Sequence, residues 1–171
     1  MDKAELAARV KEAAFLEGDF ILRSGQHSKY YLDKYLFSAD PVILEEFGRR
    51  FAEYADDADM IAGPELGAVA LAAATAMACG KPFVIVRKSE KDYGTSKLIE
   101  GPPVEGKRLL LVEDIGTTAG AALGAAKTLT EAGATITKMV FAVDRLQGAG
   151  ENVEAAGFSF AALLTKEDMG I

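Results

Sequence analysis

A single cysteine, Cys79, rules out a disulfide framework or a cysteine-based zinc site within one chain. Its Ala-rich apolar surroundings make it a small buried residue rather than a reactive thiol. A basic surplus is also missing. The net charge is −7, which argues against a general nucleic-acid binder. There is no N-terminal basic-then-apolar signal pattern and no apolar run of bilayer-spanning length, so the expectation is a cytoplasmic protein with no membrane partner. Internal repeats, low-complexity tracts and domain linkers are absent. The only histidine, His27, sits in a polar turn, where a lone exposed histidine is more often inert than catalytic.

With 171 residues, half of them hydrophobic and 26% charged, the chain has the length and composition of one globular domain. Asp2–Leu16 reads as an amphipathic helix capped by Asp2. Phe20–Leu22 and Tyr30–Leu36 flank a polar turn and read as a β-hairpin or two short strands. Helices are expected over Pro41–Tyr54, behind Asp40 as cap, and over Val69–Cys79, closed by Gly80. Strands are expected at Asp59–Ala62, Phe83–Val86 and Arg108–Val112, with a polar loop over Lys88–Pro103. Ala119–Glu131 reads as a helix closed by Gly133. Thr135–Val143 and Phe158–Leu164 read as strands before an acidic tail. This alternation predicts an α/β fold, a parallel sheet flanked by helices. Ligands of such sheets bind at the carboxyl ends of the strands.

The strongest chemical signal is the apolar run Leu109–Val112, which ends in Glu113-Asp114 and continues Ile115-Gly116-Thr117-Thr118-Ala119-Gly120. Small residues let backbone N–H groups approach a ligand, and they open onto a helix N-terminus, a ready phosphate site. Two adjacent acids at a strand end are costly without partners. Beside a phosphate cradle they suit sugar hydroxyls, a cation, or both, which points to a phosphorylated sugar. The blander reading, a turn with Asp114 and Thr117 as local caps, leaves the paired acids unexplained. The segment matches neither a P-loop nor a dinucleotide fingerprint. Next, Arg87–Lys97 carries four cations (Arg87, Lys88, Lys91 and Lys97) after a strand end, with Gly94 as a hinge. As a lid it could neutralise a departing anion; most such charge runs are solvated loops. Arg23–Ser28 taken alone is an ordinary turn. Arg145, after Asp144 at another strand end, is either a surface ion pair or a bidentate grip on a carboxylate.

Together these segments resemble the type I phosphoribosyltransferases, and within them the orotate branch. Val112–Gly120 is similar to the motif that binds 5-phosphoribosyl 1-pyrophosphate (PRPP). Leu22-Arg23-Ser24-Gly25 with Ser28 and Tyr30-Tyr31, Arg87-Lys88 with Lys91, Tyr93-Gly94-Thr95 and Ile99-Glu100-Gly101, and Asp144-Arg145 resemble the orotate branch more specifically. The resemblance implies one domain over 1–171, with residues 1–40 as N-terminal helix and small hood and 41–171 as core. It implies transfer of the phosphoribosyl group of PRPP to orotate, giving orotidine 5′-monophosphate and pyrophosphate in pyrimidine biosynthesis. Glu113 and Asp114 would hold the ribose hydroxyls. Gly116–Gly120, flanked by Ile115 and Ala121, would cradle the 5′-phosphate, and Gly63–Gly67 would bind pyrophosphate. Arg23, Arg87, Lys88, Lys91 and Tyr93 would contact PRPP, with Lys91 and Asp114 the catalytic residues. Tyr31 and Leu32 would lie against orotate, with Thr117 and Arg145 hydrogen-bonding it. Mg²⁺ would arrive with PRPP, and a lid shared between subunits would make a homodimer.

Four positions depart from the pattern. Gly116 stands where many relatives have Val or Ile, and Ala119 where they have Gly. Tyr93 replaces a lid histidine. Glu65 stands where some relatives carry lysine, either turned away from pyrophosphate or helping to hold magnesium. Two other functions compete: transfer to another base, and a PRPP-sensing regulator without catalysis. Against the regulator, no helix-turn-helix or basic face is visible and the lid lysines are kept.

Overall fold

The run Leu109-Leu110-Leu111-Val112 is apolar at every position because both of its faces are covered. The computed structural model describes residues 1–21, 25, 27–89 and 97–171. The run lies in β6 (Arg108–Gly116), inside a six-stranded sheet ordered β5-β4-β3-β6-β7-β8. The other strands are β3 (Met60–Pro64), β4 (Phe83–Val86), β5 (Ile99–Glu100), β7 (Thr135–Asp144) and β8 (Phe160–Thr165). All neighbours pair in parallel except β5, which runs antiparallel to β4 at the edge.

Side-chain alternation divides the core in two. Leu110 and Val112 face α1 (Lys3–Ala14), α3 (Pro41–Ala52) and α4 (Val69–Cys79). Leu109 and Leu111 face α5 (Gly120–Glu131) and α6 (Ala149–Ala155). Each of these four strand residues is fully buried, a contribution of roughly 1.5–3 kcal/mol per side chain. Asp2 and Asp40 cap α1 and α3 as expected, through Glu5 N–H and through Val42 and Ile43 N–H. The bounds of α4, closed by Gly80 at φ 70°, and of β4 are those expected from the sequence.

The N-terminal part differs. β1 (Phe15–Ile21) follows α1 directly and pairs antiparallel with β2 (His27–Leu32), with a bulge between Glu17 and Phe20. The expected strand Tyr30–Leu36 stops at Leu32. There the Asp33 carboxylate accepts from Tyr35 N–H and starts α2 (Lys34–Ala39), so capping overrides the β preference of the aromatic residues. The short α6 was not expected. It has seven residues and buries only Ala149 and Val153, too few to show a helical period. The acidic end is a short 3₁₀ turn, Glu167–Met169, docked on α1 by Met169 and a Lys3–Asp168 ion pair of 2.7 Å.

The chain enters the sheet at β3, moves outward to β4, then returns to β6 on the other side of β3. The carboxyl ends of β3 and β6 therefore flank the point where strand order reverses, where open α/β sheets form their ligand crevice. No helix among the described residues is long and apolar enough to cross a membrane.

Candidate active site

Alternation along β6 sends Glu113 towards the face of Leu109 and Leu111, and Asp114 towards that of Leu110 and Val112. Both acids are buried. Asp114 N–H donates to Glu113 Oε1 at 3.0 Å, and Ile115 N–H donates to Asp114 Oδ1. Lys34 Nζ, from α2, lies 2.8 Å from Asp114 Oδ2 as an ion pair. That oxygen is otherwise without a hydrogen-bond partner among the described residues. Gly67, in the turn after β3, faces it closely: a Cβ there would lie 1.7 Å from Oδ2. Burial, and then the Asp114 charge, push the Glu113 pKa up to about 8. Burial works against the Lys34 ammonium, but the Asp114 carboxylate outweighs it and raises the lysine above its ordinary value. Glu113 is thus held towards its neutral form, while Asp114 faces the Lys34 ammonium.

Beyond the acids, β6 runs through Gly116 into the start of α5. Arg145 N–H donates to Gly116 O at 2.9 Å, and Asn152 Nδ2 to Thr118 O at 3.0 Å, tying the loop to β7 and α6. A side chain at Gly116 would press on Phe141 at 3.0 Å and Ala149 at 3.1 Å, which explains the glycine. Ala119 adopts φ 61°, a left-handed conformation in which relatives' glycine is unstrained. Aspartates cap α1, α2 and α3, whereas no side chain caps α4 or α5. The first N–H groups of α5 therefore remain available to an anion, and the caps that the blander reading gave to Asp114 and Thr117 are not formed. A crevice of about 230 Å³ opens there, lined among others by Pro64, Glu65, Arg87, Lys88, Gly120 and Ala121. A larger, shallow groove of about 590 Å³ lies under β5 and includes none of the expected site residues.

Arg87 and Lys88 follow β4 on the crevice wall. Glu65 is turned onto them: its carboxylate accepts from Lys88 N–H at 2.6 Å and lies 4.0 Å from Arg87. Arg87 Nε is buried without a hydrogen-bond partner among the described residues. Arg23, Lys91 and Tyr93 lie outside the described residues.

Arg145 leaves β7 towards the hairpin. Its guanidinium donates to the Tyr30 hydroxyl at 3.2 Å and lies 5.5 Å from that ring's centre. Asp144, itself buried, accepts from Leu146 N–H at 2.8 Å and braces the turn. Of the two residues expected against the base, neither side chain faces Arg145. Tyr31 is on the opposite face of β2, against Phe20 at 5.6 Å, and Leu32 is buried in the core. The strand period puts Tyr30 beside Arg145 instead. Thr117 is half-buried on the loop between the acids and α5. Lys34 was not anticipated, and Gly67 and Tyr30 were named only within the expected pyrophosphate loop and the hairpin motif, without these contacts. Only Tyr30 carried a local signal, its alternation with Leu32.

A model of the family described as "Phosphoribosyl transferase domain" matches residues 42–162. The orotate phosphoribosyltransferase of Methanocella arvoryzae is 42% identical over 96% of this chain and 95% of its own. The chain belongs to the orotate phosphoribosyltransferases. Among members of that family with solved structures, the Mycobacterium tuberculosis protein matches with a TM-score of 0.90 at 34% identity, covering 100% of both chains. A second structure of that protein, in complex with PRPP, matches at TM-score 0.86 and 32% identity, again covering 100% of both.

The raised pKa of Glu113 has a measurable cost. The group is neutral in the fold and ionised in the unfolded chain above its ordinary pKa, so stability falls as pH rises from roughly 4.5 towards about 8. Glu113→Gln should remove that slope and raise the melting temperature more at pH 8 than at pH 5. Equal shifts at both pH values would contradict the assignment.

Proposed function

We propose that the protein joins N1 of orotate to C1′ of PRPP, releasing pyrophosphate and forming orotidine 5′-monophosphate. The observation that carries this reading is the buried acidic pair at the end of β6, facing an uncapped helix start at the switch point of the sheet. Asp114 Oδ2, buried and short of a hydrogen bond, is an acceptor suited to a ribose hydroxyl. The N–H groups from Gly116 to Ala121 suit the 5′-phosphate. The uncapped start of α4, with Arg87 and Lys88 nearby, suits the pyrophosphate.

In this reading the C1′–oxygen bond breaks first, its electron pair leaving with pyrophosphate, and orotate N1 bonds to the oxocarbenium-like C1′ as its proton leaves to solvent or to the departing pyrophosphate. The protein then contributes positioning and electrostatics, with no nucleophile of its own. Lys91 is the lid cation assigned to the leaving group, a role resting on resemblance. Glu65 lines the same crevice, held by Lys88 N–H and beside Arg87. The described residues contain no group of three or more His, Cys, Asp or Glu able to cage a metal. Mg²⁺ prefers few carboxylates together with phosphate oxygens, so it would enter with the substrate, on the PRPP oxygens. Arg145, steadied by Tyr30, offers the orotate carboxylate a planar pair of donors. Residues 1–40 would supply the N-terminal helix and the small hood, and 41–171 the core.

A homodimer completes the proposal. α4 is apolar on all sides but buries only Leu71, Ala72, Thr75 and Ala76 against the core. Met77 is left 85% exposed and Leu66 66%, an apolar face suited to a second copy.

Three outcomes are expected. With PRPP and Mg²⁺, pyrophosphate release should require orotate; release only with uracil, adenine or hypoxanthine would overturn the substrate. Arg145→Ala should raise the orotate KM by about 10–100-fold, the worth of one or two charged hydrogen bonds, and leave the PRPP KM near normal. Equal losses for both substrates would contradict its role. Light scattering should show a dimer that Met77→Glu converts to monomer; a dimer unaffected by the new charge would place the interface elsewhere.

A further inference from the structure

The ion pair between Lys34 and Asp114 joins two elements with no local sequence link, α2 and the end of β6. Three features give it meaning beyond stability. First, Asp114 is buried whereas the Lys34 side chain is 34% exposed, so the lysine reaches inward from the rim of the site. Second, the pair occupies space that exists because residue 67 has no side chain. A Cβ at Gly67 would lie 1.7 Å from Asp114 Oδ2 and 3.0 Å from Lys34 Cε. Third, Asp114 adjoins a second buried acid, Glu113, and two such neighbours cannot both carry charge cheaply. A cation on one of them decides which.

We propose that Lys34 is a positioning residue for the ribose subsite: its ammonium holds the Asp114 carboxylate in place as the hydroxyl-accepting member of the acidic pair, in the space left by the missing side chain of Gly67. The inference rests on the reading of Asp114 as a ribose-hydroxyl acceptor. A carboxylate oxygen has two lone pairs. Lys34 engages Oδ2 from one side, and the oxygen retains capacity for a hydroxyl donor. Without the lysine the carboxylate would lose the cation that holds Oδ2 in place. The charged or titratable groups facing the pair are few: Lys34 and Tyr35 from α2, Glu113 from β6, and Lys88 after β4. The raised pKa of Glu113 agrees with a proton held on that side of the pair.

The test compares steady-state kinetics of Lys34→Met, Lys34→Arg and Asp114→Asn with the unaltered enzyme across pH. Lys34→Met should raise the PRPP KM by about tenfold, as expected for loss of one charge-assisted contact. It should change the orotate KM less than about twofold, a difference of under half a kcal/mol. Its acid limb in kcat/KM for PRPP should move to higher pH, because the acids lose their stabilising cation. Lys34→Arg should restore most of the PRPP KM and the pH profile. An impaired Asp114→Asn beside a Lys34→Met enzyme with normal PRPP KM and pH profile would overturn the role of Lys34. So would equal rises in both KM values that arginine does not rescue, the mark of a merely structural lysine. A normal PRPP KM in Asp114→Asn would instead remove the ribose assignment itself, and the proposal with it.

Discussion

Burying two adjacent carboxylates at the end of a central strand is the constraint around which the site is built. In an apolar interior that placement is unfavourable by several kcal/mol unless charge is neutralised or paired. Both remedies are used here. Glu113 is held in its neutral form, and Asp114 meets the ammonium of Lys34. The remaining unsatisfied capacity is at Asp114 Oδ2, near the point where strand order reverses. In the proposed function, a sugar hydroxyl would complete it.

The surrounding elements follow the same logic of incomplete local satisfaction. Aspartates cap the starts of α1, α2 and α3, while α4 and α5, which follow the strands flanking the crevice, have no side-chain cap, and neither does the short α6. Ala119 carries left-handed backbone at the start of α5, and Leu146 does so at φ 55° beside Arg145. Backbone of this kind costs of order 1–2 kcal/mol per residue and persists where the surroundings enforce it. The loop that opens α5 and the Arg145 turn are tied to each other through Gly116 O, so the two segments share one frame.

Much of this was legible because its signals were local. The four apolar residues before Glu113-Asp114 announced a buried strand, and the small residues after them a helix start open to phosphate. Gly80 marked the end of α4, and Asp40-Pro41 the beginning of α3. What was not legible depended on competition or distance. At Asp33 a cap ended a strand that the aromatic residues would have extended through Leu36. Choosing Tyr31 over Tyr30 required knowing which face of the hairpin meets Arg145, and that is set by the docking of Leu32 in the core. Lys34 and Gly67 meet Asp114 only after folding, and no spacing in the chain connects them.

The central claim is that the acidic pair receives the ribose of PRPP. A crystal structure of the protein with PRPP and Mg²⁺ tests it most directly. The account predicts a ribose hydroxyl at about 2.6–3.0 Å from Asp114 Oδ2, with Lys34 still in place and the 5′-phosphate on the N–H groups of Gly116–Gly120. PRPP bound with its ribose away from Glu113 and Asp114 would contradict it.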